Sequence, residues 1–143
     1  SMTAVTARLE EKLRQSPDDI SGWILLGRSY VAMGKPEKAV SIFEEKREGN
    51  AENVNYLVSY GETLSQINQG IISEKAKNLF LEAFMLDTTN PRTGYNLALY
   101  EMQQEQYKPA YNRLNKLLDE APANAPYTIP IKKSMALAAE NRN

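Results

Sequence analysis

Seven residues, Trp23, Leu26, Gly27, Tyr30, Gly34, Ala39 and Phe43, form a spaced set that returns in part along the chain and constrains the fold more than any other feature. Counted from Ile20, they occupy positions 4, 7, 8, 11, 15, 20 and 24 of a unit about 34 residues long. Apolar residues three and four apart mark one face of a helix, and the glycine between the two runs marks a break. Each unit therefore reads as two antiparallel helices, with small residues where they cross and large ones in the gaps. Nowhere does hydrophobicity alternate with period two over a useful length, which leaves an all-α chain.

Ser1-Met2 looks like a tag-cleavage scar (1–2), so the natural chain is expected to continue upstream, and residues 3–143 read as a single repeat domain. Within it, 3–19 holds an N-terminal helix with Val5, Leu9 and Leu13 on one stripe, stopped by Pro17-Asp18-Asp19. The first repeat covers 20–53, with Pro36 opening its second helix, where a missing N–H is harmless. The second covers 54–90 and carries Leu57, Tyr60, Gly61, Leu64, Ala76, Phe80 and Ala83 in the same slots. Ala39 to Ala76 is a step of 37 and Ala76 to Ala110 one of 34, so three extra residues fall in the Ser65–Ser73 turn, with Ser73 as an N-cap. The third repeat covers 91–124; there Gly94 replaces the expected tryptophan and Glu101 the expected aromatic. Residues 125–143 predict a capping helix through about Glu140, with Thr128 as its cap and Pro130 in its first turn.

Composition removes most chemistry. The chain has no histidine and no cysteine, which excludes thiolate and imidazole metal sites, disulfides, covalent haem attachment and catalysis by either residue. Adjacent carboxylates at Glu10/Glu11 and Glu44/Glu45 diverge by about 100° on a helix and cannot converge on a substrate. Asp18/Asp19 sit where capping acids belong, and Asp87-Thr88-Thr89-Asn90 lacks the ligand spacing of a calcium loop. No phosphate loop or nucleophile elbow is present, so the reading is a non-enzyme without cofactor or metal. Seventeen basic and 18 acidic residues are interleaved to a net charge of −1, which leaves no footprint for nucleic acid. No run of about 18 apolar residues exists to span a membrane. Of the clustered tyrosines 56, 60, 95, 100, 107 and 111, Tyr60 and Tyr107 fall in packing slots, as Trp23 does.

The spaced set resembles the tetratricopeptide repeat, a right-handed superhelix; here three helix-turn-helix repeats are flanked by the N-terminal and capping helices. Such arrays bind peptides and proteins along the concave face lined by the first helix of each repeat. The class implies a groove here of Ile24, Leu25, Arg28, Val31, Val58, Glu62, Arg92, Tyr95, Asn96, Leu99 and Met102, mainly apolar with scattered charges. That surface suits the apolar face of an amphipathic helix, whose anchors recur at i, i+3, i+4 and i+7. The carboxylate-tail clamp of some members needs lysine and asparagine, then asparagine, then lysine and arginine. This chain has Ile24 and Arg28, then Ser59, then Arg92 and Asn96 at those places, so no such clamp is expected.

Three features point to a narrower family. They are the opening segment Ser16-Pro17-Asp18-Asp19…Gly22-Trp23…Leu26-Gly27-Arg28-Ser29-Tyr30, the enlarged turn from Tyr60-Gly61 through Gly70 to Ala76, and Phe80-Leu81-Glu82-Ala83…Leu86-Asp87 leading into Asn90-Pro91. Together, over roughly 7–120, they resemble the repeat domain of CcmI-like cytochrome c maturation proteins, including the version dedicated to nitrite reductase. Lys46, where an alanine is usual, Gly94 and the lysine-bearing end helix depart from the pattern. The resemblance implies a chaperone that binds the C-terminal amphipathic helix of apocytochrome c and presents it to the haem-ligation complex. It implies a periplasmic domain, tethered to the inner membrane by segments outside this sequence. The alternative is a scaffold in another envelope or secretion assembly.

Overall fold

The computed structural model describes residues 1–141, and among them every regular element is an α-helix. The order is α1 (Met2–Gln15), α2 (Ile20–Ala32), α3 (Pro36–Glu45), α4 (Val54–Ile67), α5 (Glu74–Leu86), α6 (Pro91–Gln103), α7 (Tyr107–Glu120) and α8 (Thr128–Asn141). Helices α2/α3, α4/α5 and α6/α7 pair as hairpins, α1 packs on α2, and α8 packs on α7. This is the tetratricopeptide architecture.

Local chemistry sets the boundaries. A first turn leaves backbone N–H groups unpaired, and short side chains satisfy them. Asp19 accepts from Gly22 N (3.1 Å), Asn53 from Tyr56 N (2.9 Å), Ser73 from Ala76 N (3.2 Å) and Asn90 from Thr93 N (3.2 Å). Pro36 and Pro91 open their helices. The first helix of each repeat ends on one turn geometry: Lys35 N reaches Tyr30 O, Gly70 N reaches Ser65 O and Gln106 N reaches Glu101 O, each at 2.8 Å. The residue inside each bond has positive φ, and it is Gly34 in the first repeat but Gln69 and Glu105 in the others. Two expectations shift slightly. Helix α1 starts at Met2, capped by Ser1 Oγ, so both residues of the expected scar take part in the helix. Thr128 is the first residue of α8, and its hydroxyl donates to Ala125 O (2.7 Å).

The core runs along the array in three linked clusters. In the first, Trp23 (3% exposed) donates from Nε1 to Pro17 O (2.9 Å), and the Lys46 ammonium lies 4.2 Å from its ring centroid. The middle cluster joins two repeats: Phe43 stacks on Tyr60 at 5.0 Å and meets Tyr56 at 5.9 Å. Such pairs add about 0.5–1.5 kcal/mol beyond burial. Tyr56 is fully buried and donates to the Phe43 carbonyl, one of the acceptors left open at the end of α3. Burial pushes its phenol up to about 12, so it stays a neutral donor. Gly61 has to be glycine, since a Cβ there would lie 2.5 Å from the Phe80 ring. Tyr107 is half-buried at an edge, not the core residue its slot implied.

The enlarged turn of the second repeat is docked. Ile72 is buried in the middle cluster, and its N–H donates to Gln103 Oε1 (2.9 Å), while Gln103 Nε2 donates to Gly70 O (2.9 Å). At the far end, Lys132 stands one repeat step beyond Gly27, Gly61 and Ala98, the small residues that let a second helix approach. A long charged side chain there makes α8 a poor seat for a further hairpin partner.

Candidate peptide-binding groove

Helices α2, α4, α6 and α8 form a continuous inner layer, each in contact with the next. The outer helices α3, α5 and α7 make no such approach to one another among the described residues, so the stack curves with the inner layer on its concave side. Residues on the exposed face of that layer form the candidate groove.

The expected groove residues fall into three groups. Ile24 (3% exposed) and Val58 (1%) are packed into the middle cluster and present almost no surface. The fifth residue of each inner helix meets the neighbouring repeat, which is why these two are covered. Leu25 is 54% exposed, and Val31, Tyr95, Leu99 and Met102 are half-buried against the core edge. The third group is polar and mutually bonded.

Arg92 lies at the centre of that network. Its Nη2 donates to Glu62 Oε1 (2.5 Å) and Ser59 Oγ (3.2 Å), and its Nη1 to Asn55 Oδ1 (2.9 Å). Asn96 Nδ2 donates to Glu62 Oε2 (3.0 Å) and to Arg92 O (2.9 Å). Arg28 Nη2 donates to Ser59 Oγ (3.1 Å) from the opposite side. The middle of the groove is thus a bonded polar floor across α2, α4 and α6, where the sequence suggested an apolar stripe with isolated charges.

Beyond Arg92, the groove deepens into a slot of about 120 Å³ between Pro91, Tyr95, Tyr127, Pro130 and Ile131, with almost wholly apolar walls. Sequence reasoning missed the α8 side of this slot. Stepping the repeat register from Asn96 would have reached Pro130. Larger hollows, near 600 Å³, lie elsewhere; one, between α3 and α5, is walled by Glu44, Arg47, Lys75 and Glu82 and is open to water. No group of histidine, cysteine, aspartate or glutamate suited to a metal occurs among the described residues, and no helix is long and apolar enough to cross a membrane. The Asp87 carboxylate accepts from Thr89 N (2.9 Å) and Oγ1 (2.7 Å), an ordinary turn that holds it below the usual carboxylate range.

The fold and its concave face define a tetratricopeptide-repeat domain. Over residues 1–128 the sequence matches the family described as Cytochrome c-type biogenesis protein H TPR domain, and the chain belongs to that family. It is 28% identical to the cytochrome c-type biogenesis protein CycH of Rhizobium meliloti over 91% of this chain and 34% of that one. Similarity to CcmH of Escherichia coli is 24% over 98% of this chain and 40% of that one. The nitrite-reductase version is represented by the formate-dependent nitrite reductase complex bifunctional subunit NrfFG of Haemophilus influenzae, 28% identical over 83% of this chain and 31% of that one. The chain therefore spans roughly a third to two-fifths of these relatives' length. Among solved structures, MamA superposes with a TM-score of 0.75 over 99% of this chain and 78% of its own, at 18% identity, a likeness of fold alone.

Proposed function

We propose that this chain is a non-catalytic peptide-binding module of cytochrome c maturation. It holds the C-terminal amphipathic helix of apocytochrome c in the concave groove and presents it to the haem-ligation complex. The setting is the periplasmic side of a bacterial envelope, with a tether to the inner membrane supplied by segments outside this sequence. The observation that carries the reading is the inner-helix face of a domain in the cytochrome c biogenesis family. That face offers Leu25, Leu99, Met102 and an apolar slot beside a bonded polar floor. Apolar anchors along one side of a helix need such a row of partners, and Met102 adds an adaptable contact.

The test is a titration with a labelled C-terminal helix from an apocytochrome c of the same organism. Saturable binding is expected, weakened at least about tenfold by Leu99→Glu, a charge placed against an apolar anchor. A charge at buried Val58 would act on folding and would not report on the groove. Absence of binding up to about 1 mM, near −4 kcal/mol, would reject the reading. The alternative, a scaffold for a folded partner, draws on the outer face of α5, where Met85 is 82%, Leu86 46% and Leu81 40% exposed. A scaffold would ignore the peptide and lose its partner when Met85 becomes charged.

A further inference from the structure

We propose that Arg28 and Arg92 form a carboxylate subsite at the middle of the groove, and that the bound helix places an aspartate or glutamate side chain there. The proposal rests on the peptide-binding reading above and adds a chemical requirement to it. Both guanidinium groups donate to the same acceptor, Ser59 Oγ, at 3.1 and 3.2 Å. Two positive charges therefore sit on either side of one neutral hydroxyl. Glu62 offsets one of those charges: its Oε1 takes Arg92 Nη2 and its Oε2 takes Arg92 Nε (3.4 Å) and Asn96 Nδ2, which leaves Arg28 as the guanidinium facing no carboxylate among the described residues. Arg28 has its one hydrogen bond with Ser59 and is otherwise exposed. By repeat register, Lys133 on α8 occupies the place of Arg28, Glu62 and Leu99 on the earlier inner helices, and it too is exposed. Three cations and one anion leave the groove electropositive within a chain whose net charge is −1.

An oxygen anion seated beside Ser59 would relieve the repulsion between the two guanidinium groups and gain charge-assisted hydrogen bonds chiefly from Arg28, whose one hydrogen bond is to the serine, with Arg92 adding its field while it stays paired to Glu62. The arrangement differs from the tail clamp considered from sequence, because Ile24 and Ser59 leave that pattern incomplete, while the two arginines meet across α4. Position along the groove selects the source of the carboxylate. Apolar surface flanks the subsite on both sides, Leu25 on α2 and Leu99 with the Tyr95–Tyr127 slot beyond α4. A helix that covers both flanks runs on past the subsite, so the carboxylate belongs to a side chain. A chain terminus there would leave one flank wet.

The probes are labelled amphipathic helices of about 18 residues, long enough to cross the inner layer at 1.5 Å per residue. Each carries leucines at i, i+3, i+4 and i+7 with a central glutamate or glutamine, and each is made with a free and an amidated C-terminus. The glutamate helix is expected to bind about 5–30-fold tighter than the glutamine helix, with the advantage shrinking in salt. Arg28→Gln should erase that advantage, so that the two helices bind the variant alike, as expected for one removed pairwise interaction. Arg28 is exposed and Ser59 keeps Arg92, so the variant should retain its helical spectrum and melting. Equal binding of the glutamate and glutamine helices to wild type would overturn the subsite while leaving the groove standing. So would an equal loss of both helices in Arg28→Gln, or an affinity that tracks amidation in place of the central residue. If neither helix binds, the peptide-groove reading itself fails.

Discussion

The first and third repeats build the same hairpin with inverted side-chain sizes. In the first, the fourth residue of the inner helix is Trp23, clustered with Ala39 and Ile42 of the outer helix, and the facing position just past that helix holds Lys46, with its ammonium over the ring. In the third, the fourth residue is Gly94, and the outer helix fills the gap with Leu117, whose Cδ2 would lie 2.8 Å from any Cβ placed on Gly94. The second repeat lies between, with Leu57 and Ala83 at the corresponding places, both fully buried. Lys46 and Gly94, each irregular when read alone, are two ends of one exchange of volume across the hairpin. The eleventh residue follows suit. Tyr30 packs in the first repeat and bonds Glu10 through its hydroxyl (3.3 Å), whereas Glu101 in the third pairs with Arg113 Nε (2.8 Å), whose guanidinium lies 5.2 Å from the Phe84 ring centroid. The lesson is that the hairpin conserves the filled space between its helices and is indifferent to which helix fills it.

The contrast can be broken experimentally. Trp23→Ala should cost roughly 3–5 kcal/mol in denaturant unfolding, through the cavity and the unpaired Pro17 carbonyl. An unchanged midpoint would show that the first repeat does not depend on its large inner residue. Gly94→Leu should cost about 1–3 kcal/mol by overpacking. Combined with Leu117→Ala, which recreates the Leu57/Ala83 arrangement, the double variant should be at least about 1 kcal/mol more stable than the two losses added together. Simple additivity would sever the proposed exchange. Arg113→Ala should cost about 1–2 kcal/mol, between exposed and buried pairs, because Glu101 is only 14% exposed. The smallest effect lies at the turns. Glu105→Gly should raise stability by about 0.5–1 kcal/mol, since it relieves a positive φ that Gly34 already accommodates in the first repeat. Thermal melts that show no gain would place the strain elsewhere.

The fold was legible because its signals are local and repeated. Glycines at close crossings, prolines at helix starts and a 34-residue step survive without any knowledge of tertiary contacts. The groove was legible only as a register. Counting places Ile24, Val58 and Tyr95 at one equivalent position, yet the first two are buried by a following inner helix and the third stands half-exposed beside the slot. No pattern in the sequence distinguishes them, because the covering surface comes from another repeat. Ser59 and Asn55 were equally opaque. Ser59 entered only as a departure from the clamp pattern, and the two gain meaning when Arg28 and Arg92 reach Ser59 and Arg92 reaches Asn55. Thr128 likewise carried a capping signature, but its hydroxyl turned back to a carbonyl three residues earlier.

The contact between inner helices and the gaps between outer ones have a mechanical consequence. Successive repeats are joined by the inner helices and by each outer helix on the next inner one, α3 on α4 and α5 on α6, while the outer helices are bridged by side chains: the exposed Arg47–Glu82 pair at 2.9 Å, a type of contact worth at most about 1 kcal/mol, and Arg113 over the Phe84 ring at 5.2 Å. Straightening or tightening the arc therefore disturbs these side-chain bridges first and leaves the packing inside each hairpin in place. The domain is thus built like a leaf spring, with any change of arc taken up at the joins between repeats, which set the width of the concave face.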